Sequence, residues 1–144
     1  MGKYVFGVDI GGTTVKLGLL DGEGQILDKW EIPTVIDNNG EAIFPDIIRS
    51  LQGKDLLGIG VGAPGSLDKD GSLLGGAVNI GWKPFNIPET IQAYIKVPVK
   101  AQNDANVAAY GEMWKGGGKG YSNMVAVTLG TGVGGGIIIN GELV

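Results

Sequence analysis

An acid, two glycines, two threonines and a lysine lie within eight residues near the start of the chain, in the stretch Asp9–Lys16. Glycines let backbone N–H groups approach an anion, and Thr13, Thr14 and Lys16 add two hydroxyl donors and a positive charge. A carboxylate repels a bare phosphate, so we expect Asp9 to face a divalent metal. Apolar, β-type residues on both sides predict a hairpin turn here. The pattern indicates a phosphate site, although these residues alone fit a plain Gly-Gly turn equally well.

A second loop rich in glycine follows another apolar run, at Gly130–Gly136. Gly130, Gly132 and Gly135 have the spacing of a dinucleotide-binding fingerprint, but that fingerprint requires a helix after the loop. Three isoleucines and an Asn-Gly turn follow instead, and they predict a strand. A Walker loop is also disfavoured, because Lys119 precedes a glycine where a hydroxyl residue is needed. The strand, loop and strand of the first motif therefore recur.

Composition excludes several classes of function. The 144 residues carry a net charge of −4 without a Lys/Arg cluster, which disfavours a nucleic-acid partner. The sequence has no apolar run of the roughly 20 residues that a membrane helix needs and no signal-peptide core, so we expect a cytoplasmic protein without a membrane partner. Without Cys and His it has no thiolate nucleophile, imidazole base or ordinary zinc site. Proton transfer must then use a carboxylate, Lys or Tyr.

Hydrophobic periodicity predicts the elements that position these residues. Three antiparallel strands open the chain and end near Ile32. The elements that follow are a helix over 42–51, a strand over 56–61, a helix over 88–96, a strand over 97–101, a helix over 105–115 and the second hairpin. This order predicts an α/β, ribonuclease-H-like fold with a mixed sheet and helices on its faces. A glycine-rich linker predicts a lobe over residues 1–118, and residues 119–144 as the first hairpin of an incomplete second lobe.

Asp104 is the leading candidate for a general base. It follows Asn103 at the junction of a predicted strand and a predicted helix, where α/β proteins often present functional groups. An Asp at such a junction is more often a plain helix N-cap. The preceding amide side chain, and the lack of a better placed base, favour the catalytic interpretation.

Four motifs in this order resemble those of the ROK (repressor, open reading frame, kinase) sugar kinases, and most of all the bacterial glucokinases. They are Asp9–Lys16, Ala63–Gly65, Asn103–Asn106 with Gly111–Glu112, and Leu129–Gly136. The resemblance covers the whole chain but only about the N-terminal half of a family member. It implies an actin-like, two-lobed fold and phosphoryl transfer from ATP, with Mg²⁺, to a hexose hydroxyl.

The resemblance also implies a role for each candidate residue. Asp104 would be the catalytic base, and the sugar would contact Asp104, Asn103, Asn79 and the backbone at Gly65. The nucleotide phosphates would contact Asp9, Gly11, Gly12, Thr13, Thr14 and Lys16 in one loop, and Gly130, Thr131 and Gly132 in the other. Asp9 would hold Mg²⁺ through water. We expect the nearby Trp82 in the core rather than at the sugar.

The chain also departs from the family pattern. The family's sugar-contacting glutamates, its histidine, its zinc motif and the adenosine pocket have no counterpart in this sequence. We therefore expect no zinc site, a shortened or engineered form, and weak or no activity of the chain by itself. A missing C-terminal lobe, or a second copy in a homodimer, would complete the cleft.

Other functions compete with the kinase hypothesis. A non-catalytic fragment that binds sugar or assembles with a second copy is the main alternative. A sugar-sensing repressor would need a helix-turn-helix before Asp9, for which eight residues leave no room. A ribonuclease-type enzyme, with metals shared by Asp9 and Asp104, would need a basic surface. The sequence leaves open which hexose is used and whether ATP or polyphosphate is the donor.

Overall fold

A computed structural model describes residues 3–51, 53–77, 80–129 and 133–144 of the chain. The candidate residues Asn79, Gly130, Thr131 and Gly132 lie outside the described residues. The chain divides into two compact units, Met1–Gln102 and Asn103–Val144. In the part that is described, no helix has both the length and the apolar character needed to cross a bilayer.

A five-stranded sheet of order β3-β2-β1-β4-β5 organises the first unit. Its middle strand β1 (Tyr4–Ile10) pairs antiparallel with β2 (Thr14–Leu20), which in turn pairs antiparallel with β3 (Ile26–Pro33). On its other side β1 pairs parallel with β4 (Leu56–Ala63), and β5 (Val99–Asn103) lies beside β4. The predicted mixed sheet with three antiparallel strands at its start is confirmed.

Alternation of side chains gives this sheet one buried face. The buried residues of the first two strands are Phe6, Val8 and Ile10 of β1 and Val15, Leu17 and Leu19 of β2. The intervening positions, among them Asp9 and Lys16, lie on the opposite face because successive side chains alternate along a strand. A slip of one residue would move every apolar side chain to the wrong face, so burial fixes the strand register.

Three helices follow in the first unit. The short α1 (Asp37–Gly40) includes two asparagines at positive φ and was not predicted. The second, α2 (Ile43–Leu51), has Pro45 in its first turn and ends before Gly53, whose φ of +72° suits a glycine, as expected. The third, α3 (Ile87–Gln92), ends four residues before the predicted helix end, because a turn at Ala93 and Tyr94 replaces its last part.

An aromatic cluster joins α2 to the loop after β4. The Trp82 ring stacks on Phe44 with centroids 5.4 Å apart and meets Phe85 edge-on at 5.2 Å. Only 9% of Trp82 is exposed. The prediction that Trp82 lies in the core is therefore confirmed.

The second unit contains one helix and a small antiparallel sheet. The helix α4 (Asp104–Lys115) is followed by β6 (Met124–Leu129), β7 (Val133–Ile139) and the two-residue β8 (Glu142–Leu143). The strands lie in that order, and α4 packs on β6 and β7. This packing places the division between the units at residue 102, earlier than the predicted lobe boundary at residue 118.

Candidate functional site

The turn between β1 and β2 depends on Gly11. Its N–H donates to the carbonyl oxygen of Thr14 at 3.1 Å, which closes the turn. A Cβ at Gly11 would lie 2.8 Å from that same oxygen, so a larger residue would clash with the backbone. The closed turn leaves Gly12 and Thr13 exposed at its tip.

Thr34, a residue that sequence reasoning missed, supports this turn from the end of β3. Its hydroxyl donates to the carbonyl oxygen of Gly11 at 2.8 Å, and its N–H donates to that of Thr13 at 2.9 Å. Within the residues that the structure describes, the N–H groups of Gly12 and Thr13 have no main-chain acceptor. With the carbonyl oxygens bound to Thr34, the turn offers N–H donors to an anion.

Asp9 belongs to a row of charged residues that crosses the sheet. Lys16 is the direct ladder partner of Asp9 on one side and of Glu31 on the other. The Cβ atoms of directly opposed residues lie about 4.5–5.5 Å apart, and all three of these side chains are exposed. Lys16 therefore has an acid on each side, which reduces the net positive charge that it offers to a phosphate.

Asp9 is suited to a magnesium ion that keeps most of its water. Within the described ranges, no three acidic, His or Cys side chains come together as a set of metal ligands. Magnesium often binds proteins through one or two carboxylates and completes its shell with water and substrate phosphate oxygens. An exposed carboxylate one residue from the β1–β2 turn fits that mode of binding.

Gly65 follows β4 and requires glycine for two reasons. Its φ is +92°, a conformation that other residues rarely adopt. A Cβ there would also lie 3.0 Å from the carbonyl oxygen of Gly76. Gly65 is exposed to solvent at this position.

The start of α4 presents Asn103 and Asp104 side by side. Asn103 is the N-cap, and its Oδ1 accepts the N–H of Ala105 at 3.0 Å. Asp104 is the first helical residue, and its Oδ1 accepts the same N–H at 2.8 Å. The helix dipole favours a negative charge at this end. The N-cap position considered for Asp104 is occupied by Asn103, and the exposed Asp104 carboxylate shares the N–H of Ala105 with it.

The predicted residues thus form two groups, one in each unit. The first unit holds Asp9, the β1–β2 turn, Lys16 and Gly65, and it places Asp9 directly opposite Lys16. The second unit holds Asn103 and Asp104 as neighbours. The signal that could have revealed Thr34 is the strand register, since its neighbour Pro33 is the ladder partner of Thr14.

The order of the five-stranded sheet and the turn at its first hairpin define an α/β protein with the actin-like ATPase fold. The chain belongs to the ROK family, whose model matches residues 5–144. The resemblance predicted from the four motifs is confirmed.

Two glucokinases illustrate this relationship. The chain is 47% identical to a glucokinase of Halalkalibacterium halodurans, over 98% of this chain and 46% of that protein. It is 42% identical to a glucokinase of Streptomyces coelicolor, over 95% of this chain and 44% of that protein. The chain therefore spans about half the length of the curated relatives that it matches.

A solved structure agrees with the sequence relationship. The crystal structure of a ROK family glucokinase from Streptomyces griseus, in complex with glucose and AMPPNP, matches the chain with a TM-score of 0.86 and 38% identity. The match covers 97% of this chain and 46% of the Streptomyces griseus chain. The similarity of fold thus extends over nearly all of the chain.

Proposed function

We propose that the chain takes part in ATP-dependent phosphorylation of a hexose, the reaction of a glucokinase. The observation that carries the proposal is the exposed carboxylate of Asp104, held at the start of α4 by the N–H of Ala105. The relatives named glucokinase, and the related structure in complex with glucose and AMPPNP, support the choice of substrates. A cytoplasmic location belongs to the same proposal, because intracellular ATP is the donor.

Asp104 would accept the proton of the attacking sugar hydroxyl. A general base of this kind contributes roughly 10²–10⁴-fold to the rate, and alignment of the acceptor with the phosphate supplies much of the remainder. Asn103 would contact the sugar beside Asp104, and Asn79 and the exposed backbone at Gly65 would contact other hydroxyls. Amide side chains suit this task because each offers both a donor and an acceptor.

The β1–β2 turn would hold the nucleotide phosphates. The N–H groups of the exposed residues Gly12 and Thr13, and the Thr14 hydroxyl, would donate to phosphate oxygens. Lys16 would add positive charge from the neighbouring sheet face, and residues 130–132 would form the second phosphate loop. When bound, Mg²⁺ supplies charge neutralisation at the phosphates, and Asp9 would hold it through water.

Two measurements test this proposal. Calorimetric titration with glucose and related hexoses asks whether the chain binds sugar. Phosphorus NMR asks whether ATP, or polyphosphate, is consumed in the presence of Mg²⁺ and the hexose. Both are run on the chain alone and on the chain joined to the complementary half of the Halalkalibacterium glucokinase. We expect phosphorylation at least in the joined form. Absence of sugar binding and of phosphorylation in both forms rejects the kinase assignment.

A second candidate function, a non-catalytic fragment that assembles with another polypeptide, is supported by the exposed face of the β6–β7 hairpin. Its exposed apolar residues are Val125, Val127, Leu129, Val133, Ile137 and Ile139. Ladder pairing places Val125 opposite Ile137 and Leu129 opposite Val133, so these residues share one face. Contiguous apolar surface of this kind commonly marks a protein contact. Light scattering that shows a monomer at every concentration, together with sugar phosphorylation by the chain alone, would exclude this alternative.

A further inference from the structure

Helix α4 lies on β7 through residues that have almost no side chain. Ala105 and Ala109 are the buried residues of the helix, with 7% and 0% of their surface exposed. Opposite them on β7 is Gly136. A Cβ at Gly136 would lie 2.6 Å from the Cβ of Ala109 and 3.2 Å from the carbonyl oxygen of Ala105. The helix could not keep this position against an alanine at residue 136.

Gly134 makes a second close contact nearer the start of the helix. A Cβ there would lie 3.1 Å from the Cβ of Ala105 and 2.5 Å from Oγ1 of Thr128 on β6. Gly134 and Gly136 do not have a positive φ, so the constraint at these two positions is space rather than backbone conformation. Glycine weakens the interior of a strand, and in such a place it often marks a site where another backbone approaches closely.

We propose that Gly134 and Gly136 are positioning residues for Asp104, an inference that rests on the function proposed above. Gly134 contacts Ala105, and Ala105 donates the N–H that the Asp104 carboxylate accepts. Gly134 also lies two residues after Gly132, the last residue of the expected second phosphate loop. The contact between Gly134 and Ala105 therefore connects β7, which begins directly after the expected phosphate loop, to the residue whose N–H binds the Asp104 carboxylate. These two glycines shape the catalytic helix rather than bind phosphate.

Exchange of a methyl group between the two elements tests the proposal. Gly136→Ala adds a methyl group against Ala109, and Ala109→Gly removes the methyl group that it would strike. We expect Gly136→Ala to lower kcat/KM for hexose phosphorylation at least tenfold, and the double variant G136A/A109G to return to within about threefold of wild type. Ala109→Gly by itself weakens the helix, so a recovery cannot come from a generally more stable helix.

Gly135 provides the matched control in the same strand. It lies on the other face of the hairpin, is exposed, and a Cβ there would meet a single carbonyl oxygen, that of Ala126, at 3.3 Å. We expect Gly135→Ala to stay within about threefold of wild type. A loss equal to that of Gly136→Ala would show that any added methyl group on β7 is harmful and would overturn the proposal.

A readout that needs no activity separates this inference from the kinase proposal. The amide proton of Ala105 reports the contact with the Asp104 carboxylate, and NMR of the isotope-labelled full chain follows it. We expect Gly136→Ala to shift this signal and the double variant to restore it. An unchanged signal in Gly136→Ala overturns the inference, whatever the activity. A signal that behaves as expected supports the positioning role even if wild type neither binds nor phosphorylates sugar, alone or joined to the glucokinase half, which rejects the kinase proposal by itself.

The double variant also covers the case in which Gly136→Ala does not fold. It should then fold and keep the wild-type signal of Ala105, because the 2.6 Å contact with Ala109 is gone and the remaining contacts, 3.2 Å to the Ala105 carbonyl oxygen and 3.3 Å to Cα of Asn106, need only a small shift. A double variant that is also unfolded contradicts the claim that space between α4 and β7 is the reason for the two glycines.

Discussion

At the residue scale, the backbone carbonyl and N–H groups of the β1–β2 turn have different partners. Thr34 donates to two carbonyl oxygens of the turn, and Gly11 donates to Thr14, so the exposed tip presents N–H groups. The side chains that carry charge lie behind the tip in the sheet, where Lys16 stands between Asp9 and Glu31. An anion would therefore be bound mainly by backbone N–H donors, with the lysine as a partly balanced charge.

Replacement of Thr34 by valine tests whether the Thr34 hydroxyl stabilises the β1–β2 turn. Valine has the same shape but cannot donate to Gly11, and the loss of one part-buried hydrogen bond costs about 0.5–1.5 kcal/mol of unfolding free energy. Urea denaturation measures that change. Thr34→Ser keeps the hydroxyl and serves as the control. Equal stability of Thr34→Val and wild type would mean that the hydroxyl does not hold the turn.

Asp70 gives a pH-dependent prediction away from the site. The N–H and the hydroxyl of Ser72 donate to its carboxylate and lower its pKa below the ordinary value of 3.8. A carboxyl group with a lowered folded-state pKa stabilises the fold above its unfolded pKa, and that contribution is lost as the pH falls through the folded value. The stability difference between wild type and Asp70→Asn should therefore shrink below about pH 4. Urea denaturation at pH 6 and pH 3 measures this difference in stability. A difference that does not shrink contradicts the claim that the hydrogen bonds from Ser72 lower the pKa of Asp70 in the folded state.

At the element scale, α4 is held at both ends and along one face. At its end, the main-chain oxygen of Glu112 accepts the N–H groups of Gly116 and Gly118, and the Glu112 carboxylate accepts that of Gly117 at 2.8 Å. A Cβ at Gly118 would collide with the sulfur of Met124, the first residue of β6. The glycine loop after α4 therefore packs directly on the next strand and fixes where the helix ends.

Glu112 should matter as a hydrogen-bond acceptor and not as a charge. A carboxylate near the end of a helix opposes the helix dipole, so Glu112→Gln, which keeps an acceptor oxygen, should be almost neutral. Glu112→Ala removes the acceptor and should cost about 0.5–1.5 kcal/mol. It should also speed hydrogen exchange at the Gly117 amide, as measured by NMR. Equal behaviour of the Gln and Ala variants would contradict this interpretation.

The elements predicted well are those with a clear period. Alternation of apolar and polar residues identified the first three strands, and a helical spacing of apolar residues identified α2 and α3. The short α1 was missed because Asn38 and Asn39 adopt positive φ, which leaves no regular helix to detect. The support from Thr34 was missed, because it becomes visible only when the β2–β3 register is assigned residue by residue.

The sequence likewise predicted some features of the candidate site and missed others. The position of Asp104 at a strand-helix junction was visible in the sequence, but not that Asn103 would be the cap. The position of Lys16 between Asp9 and Glu31 could be recognised only once the residue pairing of β1, β2 and β3 was known. The roles of Gly134 and Gly136 need the packing of α4 on β7, because a glycine-rich motif alone suggests phosphate binding as readily as close packing.

At the scale of the whole molecule, the chain corresponds to about half of its glucokinase relatives and exposes an apolar face on β6 and β7. The opposite face of the same hairpin carries Gly134, Gly136 and the buried Ile138 and packs on α4. A hairpin that buries one apolar face and exposes the other is suited to a further contact. The second candidate function depends on that contact.

A charge on this exposed face tests whether it associates. Val127 is 62% exposed at the middle of β6, so Val127→Glu should leave the fold of the monomer almost unchanged. Any concentration-dependent dimer should be lost in this variant, as measured by light scattering after size-exclusion chromatography. Leu57→Glu in β4 is an exposed control in the other unit. A dimer that survives Val127→Glu but not Leu57→Glu would place the contact elsewhere.

The most direct test of the central claim is the rate of hexose phosphorylation by Asp104→Asn, in the form of the protein that phosphorylates sugar. Asparagine keeps the size of the side chain and an oxygen for the Ala105 N–H, but it cannot take a proton at neutral pH. Asp37→Asn, at an exposed first residue of a helix in the other unit, is the matched control. We predict that kcat falls roughly 10²–10⁴-fold in Asp104→Asn and stays near wild type in Asp37→Asn. A kcat for Asp104→Asn within a few-fold of wild type would contradict the assignment of Asp104 as the base.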